Sequence, residues 1–96
     1  MIIGKIAGTI VSTRKDEKLE GFKFYVVEEL DLNMNYTGKN VIAVDIVGAG
    51  IDEVVMVAQG SSARQSSFTE GKPVDSAVIA IIDTIDVKGE QKYKKL

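Results

Sequence analysis

The chain has 96 residues, the size of one domain, and sets 12 Lys and Arg against 14 Asp and Glu for a formal charge of −2. That balance argues against a nucleic-acid partner, which calls for clustered Lys and Arg. Cysteine and histidine are both absent, so there is no disulfide framework, no thiolate metal site and no imidazole base or ligand. No apolar run approaches the roughly 18 residues of a membrane span. The opening MIIGKIAGTIVSTRKDE alternates without a sustained apolar region, so no signal peptide is expected. The default expectation is a soluble, cytosolic domain. A chain this short buries only about two-thirds of its unfolded surface, which leaves room for an oligomer interface to add stability.

Ile2 to Ser12 alternates as a first strand, with Ile2, Gly4, Ile6, Gly8 and Ile10 on one face. Its two interior glycines predict a bend of the kind found at a barrel corner. Thr13–Gly21 is a polar hairpin loop, and Phe22–Leu30 is a second strand with Tyr25 and Val27 opposite Phe22, Phe24 and Val26. Asp31–Asn40 is polar and predicts a loop. Val41–Val47 predicts a third strand, Gly48–Asp52 a turn, and Glu53–Gln59 a fourth strand. Gly60–Arg64 has the pattern of a serine N-cap followed by one helical turn. Ser66–Lys72 is loop, Pro73 holds Lys72 extended, and Val78–Asp86 predicts a fifth strand. Residues 87–96 form a Lys-rich polar tail, expected to be loosely ordered. The expected organisation is therefore one barrel domain over 1–86 and a tail over 87–96.

Five strands with short turns and one short helix predict an all-β fold: a small, partly open barrel of the oligonucleotide/oligosaccharide-binding type. A sandwich would want about seven strands. Several strands are apolar on both faces; Val41, Ala43 and Val47 oppose Ile42, Val44 and Ile46. A small barrel buries only its inner face, so the outer residues need cover. Further copies of the chain are the expected cover, with the chain's own loops as the alternative.

The segment VDIVGAGIDEVVMVAQGSSAR, residues 44–64, carries two glycine-rich turns around one apolar strand. Gly48-Ala49-Gly50 follows a strand but lacks the third glycine and the helix of a dinucleotide loop. Asp52 and Glu53 would also oppose a pyrophosphate. A tight turn is the better account. Asp45, Asp52, Glu53, Asp75 and Asp83 show no spacing that enforces an acid pair or a metal site. Asp45 and Asp83, inside apolar strands, are expected to be buried with a hydrogen-bond or cationic partner. Ser61 and Ser62 lack the G-x-S-x-G elbow and any histidine base. The three Tyr and three Phe are scattered in an acidic chain, which favours packing over base stacking.

Three stretches together, MIIGKIAGTIVSTRKDEKLEGFKFYVVEEL, VIAVDIVGAGIDEVVMVAQGSSAR and KPVDSAVIAIID, resemble the pentameric vertex proteins of bacterial microcompartments, the EutN/CcmL type. The likeness covers residues 1–86, and the pairing of GAG-x-x-E with GSSAR is its specific part. Asp52 stands where that family's G-A-G-x-G-E pattern has its last glycine. Aspartate enters the left-handed conformation less readily than glycine, and it adds one carboxylate per subunit to the loop.

The resemblance implies a structural role without catalysis, cofactor or metal. A cyclic homo-oligomer, a pentamer, would close the corners of a polyhedral shell in the cytoplasm, with hexameric tile proteins as partners and neither nucleic acid nor membrane. Ring contacts would be head-to-tail. On this view Gly48, Ala49, Gly50, Asp52 and Glu53, with Gly60, Ser61, Ser62, Ala63 and Arg64, line or border the ring junction, and Glu53 pairs with Arg64. The alternative is a barrel-type binding module for single-stranded nucleic acid or a small ligand.

Overall fold

The computed structural model describes residues 1–13 and 15–96. Among these residues the strands are β1 (Ile2–Ile10), β2 (Phe24–Leu30), β3 (Tyr36–Asp45), β4 (Val54–Gln59), β5 (Ser76–Ile81), β6 (Thr84–Val87) and β7 (Glu90–Lys94). Two 3-10 turns, Glu17–Leu19 and Gly60–Arg64, are the helical elements. None of the helical segments is long and apolar enough to cross a membrane.

The first five strands form a barrel in the order β1-β2-β3-β5-β4. It is closed, not partly open, because β4 pairs with β5 on one side and with β1 on the other, from Ile2↔Val57 to Lys5↔Val54. The β3–β5 pairing is parallel, and the other neighbours in the barrel are antiparallel. Strand alternation places Ile6, Tyr25, Val27, Ala43, Val55, Val57 and Val78 inside. Gly4 faces the same interior, so close to β2 that a side chain cannot be accommodated. An added Cβ would collide with Val27 Cγ1 and lie 2.8 Å from the Glu28 carbonyl oxygen. A register shift falls between Ile6 and Gly8, where the glycine spacing predicts the bend.

A second apolar cluster lies on the barrel's exterior: Val44, Ala63, Val74 and Ala77, joined by Leu19, Phe22, Phe24 and Ile79. The excursion between β4 and β5 folds over this face, with the Gly60 amide bonded to the Asp75 carbonyl at 2.7 Å. The chain's own loops, the alternative source of cover considered from the sequence, therefore cover part of this exterior. The chain's own loop protects Val44 and Ala77, while Ile42, Ile51 and Leu32 stay at least half exposed.

Two elements differ from expectation. β3 begins at Tyr36, not Val41, and its first five residues are exposed. Ladder bonds to β2 (Glu28↔Asn40, Leu30↔Tyr36) form whether or not the side chains are apolar, so hydropathy under-reads this strand. The loop is only 31–35, drawn tight by the Asp31 carboxylate accepting the amides of Asn33 at 2.8 Å and Asn35 at 3.0 Å. The C-terminal segment is not a loose tail. β5 stops at Ile81, and 84–94 form a β-hairpin whose strands pair with each other, so the boundary expected at Asp86 falls within β6. Its turn residues Lys88 (φ 52°) and Gly89 (φ 78°) are both left-handed, as a two-residue hairpin loop requires.

Candidate functional site

The turn after β3 is built on two carboxylates and one tyrosine. Asp45 Oδ1 accepts the amides of Val47 at 3.1 Å and Ala49 at 3.3 Å, while Glu53 Oε1 accepts the Gly50 amide at 2.6 Å. Between them Gly48 takes φ 77°, a conformation that suits glycine, and open space surrounds it. Tyr25, whose ring lies in the barrel core, donates its hydroxyl to the Ala49 carbonyl at 2.6 Å in a buried bond. The loop is thereby anchored through the barrel interior.

Its second half closes over β1. The Asp52 amide bonds to the Ile6 carbonyl at 2.8 Å, the Ile6 amide to the Glu53 carbonyl at 3.0 Å, and the Glu53 amide to the Gly50 carbonyl at 3.2 Å. Asp52 sits at φ 71°, a left-handed conformation that aspartate enters less readily than glycine. With three loop amides directed onto the chain's own carboxylates, the GAG turn is not a phosphate cradle.

Glu53 also receives the Lys95 ammonium on Oε2 at 2.7 Å. The Lys95 hydrogen bond, followed by that of the Gly50 amide, holds the Glu53 carboxyl below its usual 4.5. The same hydrogen bond from the other side raises Lys95 above 10.5. The pair is partly solvated, so it locates the hairpin more than it stabilises the fold.

Arg64 does not meet Glu53 within the chain. Its Nη1 donates to the Val74 carbonyl at 2.8 Å, tying the 60–64 turn to the segment before β5. Ala63 is buried in the exterior cluster, while Ser61 and Ser62 are exposed. The serine cap is not formed. The N-cap position is Gln59, which makes no side-chain bond. This turn is held by the Gly60 amide and the buried Ala63 methyl, which leaves a hydroxyl cap nothing to add.

The GAG turn and the GSSAR turn stand at opposite ends of β4, six residues of strand apart, or about 20 Å. One subunit therefore presents them as two separate features. Asp45 has the hydrogen-bond partners expected of it, whereas Asp83 is exposed, and Asp52 lies 3.9 Å from Lys5 in solvent. Among the described residues, no three potential metal-ligating side chains gather. Sequence reasoning missed Tyr25, although its inward position in the alternation was visible, and Lys95, which resembled any solvated lysine.

One further apolar feature lies uncovered. Cross-strand register sets Leu30, Ile3 and Met56 side by side across β2, β1 and β4. With Met1, Ile2 and Leu32 they line a groove of about 490 Å³ rimmed by Glu29 and Asp31.

Fold and site together define a closed barrel of the oligonucleotide/oligosaccharide-binding type, with a carboxylate-braced glycine turn and an apolar exterior only partly covered. The family model described as "Ethanolamine utilisation protein EutN/carboxysome" matches residues 1–83, and the chain belongs to that family. It is 46% identical over 95 residues to the carboxysome shell vertex protein CcmL of Synechococcus elongatus, covering 99% of this chain and 96% of that protein. The solved CcmL of Nostoc superposes with a TM-score of 0.95 at 47% identity, over 99% of this chain and all of the other. The pentameric microcompartment shell protein GrpN of Rhodospirillum rubrum superposes with a TM-score of 0.84 at 45% identity, over 91% of this chain and 99% of GrpN.

Proposed function

We propose that this protein is the vertex subunit of a bacterial microcompartment shell: a cyclic pentamer that closes the corners of a polyhedron in the cytoplasm. The likeness to GrpN, a pentameric shell protein, across nearly all of both chains carries the reading. The CcmL and EutN relatives, all named shell vertex proteins, support it. The mechanism is geometric. A sheet of sixfold tiles is flat, and a fivefold unit inserted among them supplies the curvature that closes it. The role is structural, without catalysis, and hexameric tiles are the neighbours.

Within the ring, the 48–53 and 60–64 turns line or border the subunit junction, with Gly48, Ala49 and Gly50 toward the axis. Neutral Gly48, Ala49 and Gly50 avoid the repulsion that a repeated charge would meet at an axis. Since the two turns occupy opposite ends of β4, any Glu53–Arg64 pairing would have to form between neighbouring subunits. The barrel of 1–83 is the vertex unit and the C-terminal hairpin its appendage.

Native mass spectrometry of the purified protein tests the assembly. Five-subunit rings are expected. A chain that remains monomeric at high micromolar concentration overturns the proposal. Arg64→Ala and Glu53→Gln rings that persist unchanged would remove those residues from the junction.

A further inference from the structure

The β6–β7 hairpin lies beyond the family model, which ends at residue 83. It is a two-stranded sheet with no third strand, and such a sheet is marginal in water unless packed against something. Two polar contacts tie its root to the rest of the chain: the Lys95 amide to the Asp83 carbonyl at 2.7 Å, and Lys95 Nζ to Glu53 at 2.7 Å. It nevertheless carries Ile85, Val87 and Tyr93, each still partly exposed. Its ammonium groups at Lys88 and Lys94 have no ion-pair partner among the described residues, whereas Lys92 is paired with Glu90 at 3.1 Å.

The groove of Ile3, Leu30, Leu32 and Met56 has the complementary composition. Its floor is apolar and uncovered, and its rim carboxylates, Glu29 and Asp31, accept hydrogen bonds from Thr37 and from nearby amides but have no cationic partner among the described residues. Unpaired ammonium groups beside aliphatic side chains, and unpaired carboxylates beside an aliphatic trough, match in sign and in polarity.

The geometry points to a clasp: in the ring, the hairpin of one subunit seats in the Ile3–Leu30–Leu32–Met56 groove of its neighbour, with Lys88 and Lys94 beside Glu29 and Asp31. The occupant is a second copy of this chain. A head-to-tail ring presents one face of each subunit to a different face of the next, so every hairpin finds a groove and every groove is filled. Lys95 on Glu53 fixes the hairpin's root beside the GAG turn and so sets the direction in which it leaves its own barrel. The inference rests on the ring proposed above.

The test uses full-length protein refolded from an equal mixture of isotopically light and heavy chains, with native mass spectrometry first confirming rings. Carbodiimide then joins neighbouring lysines and carboxylates as amides, and digestion locates the links. Links from Lys88 or Lys94 to Glu29 or Asp31 are expected, including light–heavy pairs that form only between subunits. Leu32→Asp, at an exposed position, should keep the fold and lose these links. Intact rings that give no such links, or only light–light and heavy–heavy ones, overturn the clasp while leaving the ring standing. Absence of rings overturns the vertex reading itself, and the clasp with it.

Discussion

Gly4 offers a quantitative test of how the barrel closes. A methyl group added there would meet Val27 Cγ1 and stand 2.8 Å from the Glu28 carbonyl oxygen. Carbon–oxygen contacts between strands ordinarily lie at about 3.3 Å or more, so β2 would have to retreat by about half an ångström. Overpacking of this kind costs about 1–3 kcal/mol. The smaller conformational freedom of the unfolded alanine chain offsets about 0.4–1 kcal/mol of it. Gly4→Ala should therefore lose about 1–2 kcal/mol, which for a domain of this size is a fall in Tm of about 5–15 °C.

Gly8 is the control. It sits on the same strand with nothing within 4 Å of its added Cβ, so Gly8→Ala should be neutral or slightly stabilising. Thermal and urea unfolding followed by circular dichroism would measure both variants, at one protein concentration because oligomer stability depends on it. If Gly4→Ala melts together with Gly8→Ala, the close approach of β1 and β2 is not what excludes a side chain, and the reasoning fails.

Tyr25→Phe should cost about 1–3 kcal/mol by leaving the Ala49 carbonyl without its buried donor. Faster hydrogen exchange at residues 48–50 would show that the loss is felt in the GAG turn. Asp52→Val should lose about 1–2 kcal/mol, since a β-branched residue resists the left-handed φ of 71° that aspartate already adopts. Asp52→Gly should stay near the parent, because relief of strain and added unfolded-state entropy oppose each other, and denaturant midpoints would separate the two variants.

The Lys95–Glu53 contact should hold across neutral pH and loosen at both extremes. Glu53 is depressed below 4.5, so its contribution is complete above that value and lost as pH falls through the lower folded one. Lys95 is raised above 10.5, so its contribution is complete below that value and lost as pH climbs through the higher folded one. The protection of the Lys95 amide, corrected for its intrinsic exchange rate at each pH, should fall in acid, and Glu53→Gln should abolish that acid step.

Strand alternation in Ile2–Ile6, Tyr25–Val27 and Val55–Val57 determined the inner face of the barrel, because a side-chain period of two holds where a strand is regular. Past the register shift after Ile6 it fails, and Gly8 and Ile10 pair with Val26 and Phe24 on the outer face instead of sharing the face of Ile6. The glycine turn at 48–50 and the unusual Asp52 were equally plain, since left-handed positions restrict which residues can occupy them. The serine cap at Ser61 and Ser62 was misjudged, because capping propensity is weak beside the burial of Ala63 and the Gly60–Asp75 bond. The C-terminal hairpin escaped notice because Lys88-Gly89 lacks the Asn-Gly or Asp-Gly turn signal and its strands are rich in charge.

What sequence alone determined was local: which residues alternate, which turns need glycine, and which chemistries are impossible without histidine or cysteine. Tertiary structure alone decided the partners. It gave Glu53 to Lys95 across 42 positions and Arg64 to the Val74 carbonyl, and it put the two glycine turns at opposite ends of β4. Charge and composition name the groups able to pair, but the register of strands distant in sequence sets which of them come within hydrogen-bonding reach.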